Sequence, residues 1–212
     1  MALHEAGHAL MTLLTKNYYP AKLELYDNPE KLGIFGRCVS QPINNILDDV
    51  DELIEILLAG PCTTAIFADV SLEEAIWDMG GDSDFFSAYE LLAHTWLKVP
   101  KSEDYGLNPK DLSSIPDDTF VAIMRDISCE NAIPNGCNLK YSNELKAFAD
   151  AVRLTDEYIA EEIFNRAKEL LVKLRESDAF KKLAPLLADH LIAKRELGLT
   201  DLLNFLNVKS IN

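Results

Sequence analysis

The sequence predicts a mainly α chain, α+β in class because one small β-hairpin interrupts the helices, with a helical C-terminal bundle. Three observations carry that expectation. Apolar residues recur at three- and four-residue steps over the first 15 residues, over about 45–69 and through much of 144–206. Only 21–40 contains the polar–apolar alternation of a strand pair. The chain has 212 residues, 48% of them hydrophobic and 26% charged. That is enough to bury about 70% of the unfolded surface, so no disulfide staple is needed.

The elements follow in order. Leu3, Ala6, Leu10, Leu13 and Leu14 mark a first helix, which Asn17 to Pro20 ends. Lys22-Leu23-Glu24-Leu25-Tyr26 reads as a strand, Asp27-Asn28-Pro29-Glu30 as a turn, and Gly33 to Ser40 as the returning strand. Leu47, Val50, Leu53, Ile54, Leu57 and Leu58 lie on one stripe of a second helix, which Gly60-Pro61 is expected to break or kink. Ser71-Leu72-Glu73-Glu74 is a capping-box pattern for a short helix. Gly80-Gly81 ends that helix, and Asp82-Ser83-Asp84 opens the next, to about Lys98. A short helix is expected near 117–129. Periodic runs at Leu145–Val152, Ile159–Leu174 and Leu183–Ile192 predict further helices, and Thr200 caps a last one to about Leu206. The reading is one domain, 1–212: a core with the hairpin (1–98), a loop-rich insert with four prolines (99–143) and a helical C-terminal part (144–212).

Charge narrows the function. Twenty basic against 35 acidic residues leave a net charge of −15, which argues against nucleic acid or an anionic membrane surface as partner. No apolar run reaches the roughly 18–20 residues of a membrane span. No basic leader or signal-type segment opens the chain, so a cytoplasmic location is expected. Cys38, Cys62, Cys129 and Cys137 form no Cys-x-x-Cys pair and read as reduced thiols.

The chemistry is concentrated in His4-Glu5-Ala6-Gly7-His8, a His-Glu-x-x-His pattern on the first helix. An i, i+4 pair rises about 6 Å and turns slightly past a full circle, so both imidazoles point the same way. Two such nitrogens can hold one Zn²⁺ at about 2.0–2.1 Å each. Glu5 is rotated about 100° from His4 and can reach a water on that metal as general base. Zinc brings the pKa of that water towards about 7. Small residues at Ala6 and Gly7 let another backbone approach the rings. A catalytic zinc needs a third protein ligand. His94 and His190 read as core or surface histidines, and the residues alone leave Asp82 and Asp84 equal as candidates, either of which could be a plain N-cap.

The stretch His4 to Ala9 resembles the zinc helix of the peptidase domain of FtsH-type ATP-dependent metalloproteases. The order that follows is similar too: the hairpin, then Leu57-Leu58-Ala59-Gly60, then Gly80 to Asp84 opening a helix, then the closing helical run Leu191 to Leu203. Thr64 and Ala65 stand where that family carries an acidic pair. The resemblance implies a zincin-like helix in which His4, His8 and Asp84 hold Zn²⁺ and Glu5 is the base. It implies hydrolysis of peptide bonds in unfolded polypeptide by a zinc-activated water. No Gly-x-x-x-x-Gly-Lys-Ser/Thr loop exists in the chain, so the ATPase module is missing. Work on folded substrates then needs a separate ATPase partner, and a homo-oligomer is the other assembly to expect. The returning strand, at Gly33, Ile34, Phe35 and Gly36, is expected to bind an extended substrate by strand addition. The rival reading is a catalytically inactive, zinc-peptidase-like binding module.

Overall fold

A computed structural model gives the fold and describes residues 1–26, 36–43, 49–95, 101–106 and 142–209. The described chain is mainly helical, with a small three-stranded antiparallel sheet. In order come α1 (Ala2–Leu14), β1 (Tyr18–Leu25), β2 (Gly36–Pro42), α2 (Val50–Ala68), α3 (Leu72–Trp77) and α4 (Asp82–Thr95). After them come a 3-10 turn (Ser102–Tyr105), α5 (Ser142–Glu176), α6 (Asp178–Lys194), β3 (Glu196–Gly198) and α7 (Leu199–Lys209). Among the described residues no helix is long and apolar enough to cross a membrane.

The chain divides into two compact units, Met1–Leu92 with Ile163–Asn212, and Ala93–Glu162. In the second unit the Tyr105 and Phe148 rings pack 5.7 Å apart, and Phe148 and Ile159 are buried. The first unit holds the core that matters here. Leu23, Ile54, Leu58, Ile76, Leu187, Leu191, Leu197 and Leu202 are all fully buried. Each removes an isobutyl-sized side chain from water, worth about 1.5–3 kcal/mol apiece.

The sheet order is β2-β1-β3. In β1–β2, Leu23 faces Cys38 and Glu24 faces Arg37 across the ladder, with an irregularity between Pro20 and Lys22. The hairpin strands thus lie close to the expected stretches, and β2 is an edge strand of the described sheet. The sheet also has a third strand, which corrects the helical reading of 191–203. Arg195 ends α6 in the left-handed region at φ 66. The chain then turns back and Glu196–Gly198 pairs with β1, placing Leu197 opposite Leu23 in the core. The final helix starts at Leu199 rather than behind a Thr200 cap, and the Asp201 carboxylate takes the Gly198 N–H at 3.3 Å.

Two further expectations are corrected by tertiary packing. Helix α2 runs through Gly60-Pro61 unbroken. Pro61 withholds only the N–H that would serve the Leu57 carbonyl. Further along, the Ala59 and Gly60 carbonyls also accept from the hydroxyls of Thr63 (2.6 Å) and Thr64 (3.2 Å). The helix itself is buried from Leu58 to Thr63, so burial outweighs the local defect. The runs 145–152 and 159–174 merge into one helix, α5. The polar stretch between them has no Gly or Pro, and Arg153 bonds Glu157 one turn on, at 2.9 Å. The cap at Ser71 matches its sequence signal, its hydroxyl accepting from Glu74 N–H, whereas α2 starts at Val50 behind a cap the sequence reading did not name, Asp49, which accepts from Asp51 and Glu52 N–H. The expected helix at 117–129, the hairpin turn 27–30 and Cys129 and Cys137 lie outside the described residues.

Candidate metal centre

The site begins with two helices that touch. Gly7 of α1 lies so near α2 that a Cβ there would sit 2.1 Å from Thr63 Oγ1 and 2.7 Å from the Ala59 carbonyl. Gly60 of α2 lies equally near α1. A Cβ on it would be 2.3 Å from His8 Nε2 and 2.6 Å from His4 Nε2. No real side chain tolerates such distances, so the two glycines are what let the rings lie directly against α2. His4, Glu5 and His8 are all buried.

The imidazoles pack edge to face, centroids 4.7 Å apart. Their Nε2 atoms converge on Asp84, from the first turn of α4. His4 Nε2–H donates to Asp84 Oδ2 at 2.8 Å, and His8 Nε2 lies 3.4 Å from the same oxygen. The three ligand atoms are within 4.8 Å of one another. The other ring nitrogens are also engaged. His8 Nδ1–H donates to the Ile56 carbonyl at 2.7 Å, and His4 Nδ1 meets Thr64 Oγ1 at 3.2 Å. Both anchors belong to α2, so both rings are clamped between that helix and Asp84.

Glu5 points to the sheet. A Cβ at Gly36 would come 2.9 Å from both Cγ and Oε1 of Glu5, so glycine leaves room for the carboxylate. The Cys38 backbone N–H donates to it. Burial raises the Glu5 pKa to about 7, against the opposing pull of the His8 charge. Burial pulls His8 down, but the charge of Asp84 and its hydrogen bond outweigh this and hold the ring at about 9. Burial likewise acts upward on Asp84, yet the His8 charge and the two imidazole bonds keep it well below the usual carboxylate range. His4 is held below its ordinary value by burial. The Cys38 thiol is pushed up to about 12, by burial first and the Glu5 charge second.

These groups line one cleft of about 780 Å³, with β2 from Gly36 to Ser40 on one wall and Leu53, Ile56 and Leu57 on another. The donor set, two imidazole nitrogens and a carboxylate oxygen, suits a first-row divalent ion, whose bonds to such ligands run about 2.0–2.2 Å. The Gly60 cradle holds both Nε2 atoms where one ion can reach them.

Of the residues named from sequence, His4, His8, Asp84 and Glu5 come together. Asp82 also lines the cleft but is exposed and outside the ligand cluster. Gly36 lines the cleft wall, while Gly33, Ile34 and Phe35 lie outside the described residues. His94 is exposed at the end of α4. His190 is half-buried and stacks on Phe205, 5.8 Å between centroids. The sequence reading missed the Ile56 carbonyl, which no side chain can announce, and the part of Gly60 as a cradle. Only its small size, at one turn from two hydroxyl residues, could have hinted at it. No family model and no curated protein matches the chain.

Proposed function

We propose that this chain is a zinc metallopeptidase: a peptidase domain of the FtsH type, without the ATPase module, that hydrolyses peptide bonds of unfolded polypeptide. One observation carries the reading. His4, His8 and Asp84 present three ligand atoms to a common point, and the buried carboxylate of Glu5, next in sequence, lines the same cleft. His4, His8 and Asp84 would hold the ion. When bound, zinc supplies Lewis acidity, which acidifies a water and polarises a carbonyl.

The rest is the work of the chain. Glu5 is buried at the wall of the cleft, and burial raises its carboxyl to about 7, which supports its taking a proton and giving it back. The Cys38 N–H orients it. Among the described residues β2 is an edge strand and lines the cleft, which supports binding of an extended segment by strand addition. Leu53, Ile56 and Leu57 give an apolar wall for a side chain of that segment. Folded substrates would need an unfoldase, and loosely folded ones would not. Free thiols at Cys38 and Cys62 accord with a cytoplasmic setting.

Metal analysis and one variant test this. Purified protein should carry about one zinc per chain. It should cleave reduced casein without ATP. Glu5→Gln should abolish cleavage and keep the metal. Cleavage that survives Glu5→Gln sinks the mechanism. The binding-module reading draws on Thr64, a neutral side chain beside His4. It wins if the native chain holds zinc yet cuts no unfolded substrate.

A further inference from the structure

The ligands do not explain why α2 is built as it is. Ile56, Gly60 and Thr64 are spaced i, i+4, i+8, so they form one stripe along α2. His4 and His8 form the matching stripe on α1. The pairing runs antiparallel: His8 meets Ile56, His4 meets Thr64, and Gly60 faces both rings from between. A backbone carbonyl anchors one ring. A side chain anchors the other.

We infer that the Thr64 hydroxyl is a positioning residue for the metal: it holds His4 in the orientation and tautomer that turn its Nε2 lone pair to the ion. The inference rests on the zinc reading above. A hydroxyl has one proton and two lone pairs. The Thr64 proton is directed at the Gly60 carbonyl at 3.2 Å, which leaves a lone pair for His4 Nδ1–H at 3.2 Å. With Nδ1 protonated, Nε2 is the bare nitrogen a metal needs. The same hydroxyl can reverse and donate to Nδ1 when Nε2–H donates to Asp84, as the 2.8 Å contact requires. A fixed carbonyl can accept from a ring N–H but cannot donate in this way. Thr64 is therefore suited to both states of His4, with metal and without.

The test is zinc affinity, measured with Zn²⁺ alone against a chromophoric chelator. Thr64→Val keeps the shape and removes the hydroxyl. Thr64→Ser keeps the hydroxyl and removes a methyl. Loss of an outer anchor typically weakens metal binding about 10- to 100-fold, and that loss is expected for Thr64→Val, with Thr64→Ser close to wild type. A wild type that binds zinc and a Thr64→Val that binds it equally well would overturn the inference and leave the metal centre standing. So would a Thr64→Ser as weak as Thr64→Val, since the hydroxyl would not then be the acting group. A wild type that binds no zinc overturns both. Should Thr64→Val not fold, the imidazole NMR spectrum of zinc-loaded wild type decides. A slowly exchanging His4 Nδ1–H supports the anchor; exchange as fast as in an exposed imidazole overturns it.

Discussion

Two clusters of charged and titratable groups lie on opposite faces of the same small sheet, and they differ in almost everything but composition. On one face Lys22 pairs with Glu24 (2.6 Å) and Glu196 (3.1 Å), and Arg37 reaches Glu24 (3.1 Å). On the other, Gly36 and Ser40 face α1, and Glu5 approaches beside His4, His8 and Asp84. Distances in the two are similar. Water is not. Lys22, Arg37 and Glu196 keep their charges in water, 36%, 54% and 61% exposed, so the attraction of the outer pairs is screened and largely offset by the entropy of holding long side chains. His4, Glu5 and His8 are buried, so each must be answered by a neighbour, and the proton affinities of Glu5 and His8 are pushed well away from ordinary values. Burial, rather than the number of charges, separates a candidate reaction centre from surface decoration.

That contrast can be broken in several places. The largest effect belongs to Gly60→Ala. Its Cβ would fall 2.3 Å from His8 Nε2, so the rings must leave their place and zinc binding should be abolished. Metal content after dialysis checks this, and a variant with full zinc would show that the cradle is not where the ion sits. Next is Asp84→Asn, which removes the only carboxylate of the ligand cluster. Zinc affinity should fall further than for Thr64→Val, while Asp82→Asn, two residues away and exposed, should leave it unchanged. Equal losses in the two would return the choice between these aspartates to an open one.

Cys62 sharpens the comparison from the side of stability. It is as buried as the inner cluster, and its thiol donates to the Ala167 carbonyl at 3.3 Å. Burial pushes its thiol up to about 12. In the unfolded chain that thiol ionises near its ordinary value, so its contribution to stability is present below that value and is lost as pH rises through it towards about 12. At pH 8, iodoacetamide should modify Cys62 only in denaturant; peptide mass mapping reads the result. The smallest effect is Lys22→Ala. It should give no resolvable change in melting temperature, and none at all in high salt. A clear loss would mean that the outer cluster is coupled to the core.

Much of the centre was legible. His4, Glu5 and His8 are separated by helical steps that place them without help from the rest of the chain. Asp84 was different: as residue types at a helix start, Asp82 and Asp84 are equivalent, and helical rotation of about 200° between them decides which faces α1. The resemblance favoured Asp84, and the ligand cluster contains Asp84 alone of the two. Helix α2 misled at Gly60-Pro61 because propensity sees a missing N–H and cannot see the burial that outweighs it. Strand β3 was missed because three residues carry too little pattern; only pairing with β1 makes Glu196–Gly198 extended.

By itself the sequence determined what depends on near neighbours along the chain: the helical periods, the cap at Ser71, the hairpin, and two imidazoles on one face of α1. Tertiary structure alone decided which carboxylate meets those imidazoles, which helix lies against them and which strand joins the sheet. The reason is range. Local geometry follows from dihedral preference and side-chain spacing within a few residues. The bond from His4 to Asp84 spans 80 positions, and that from His4 to Thr64 spans 60. Contacts that distant form only when burial of the shared apolar core brings α1, α2 and α4 together.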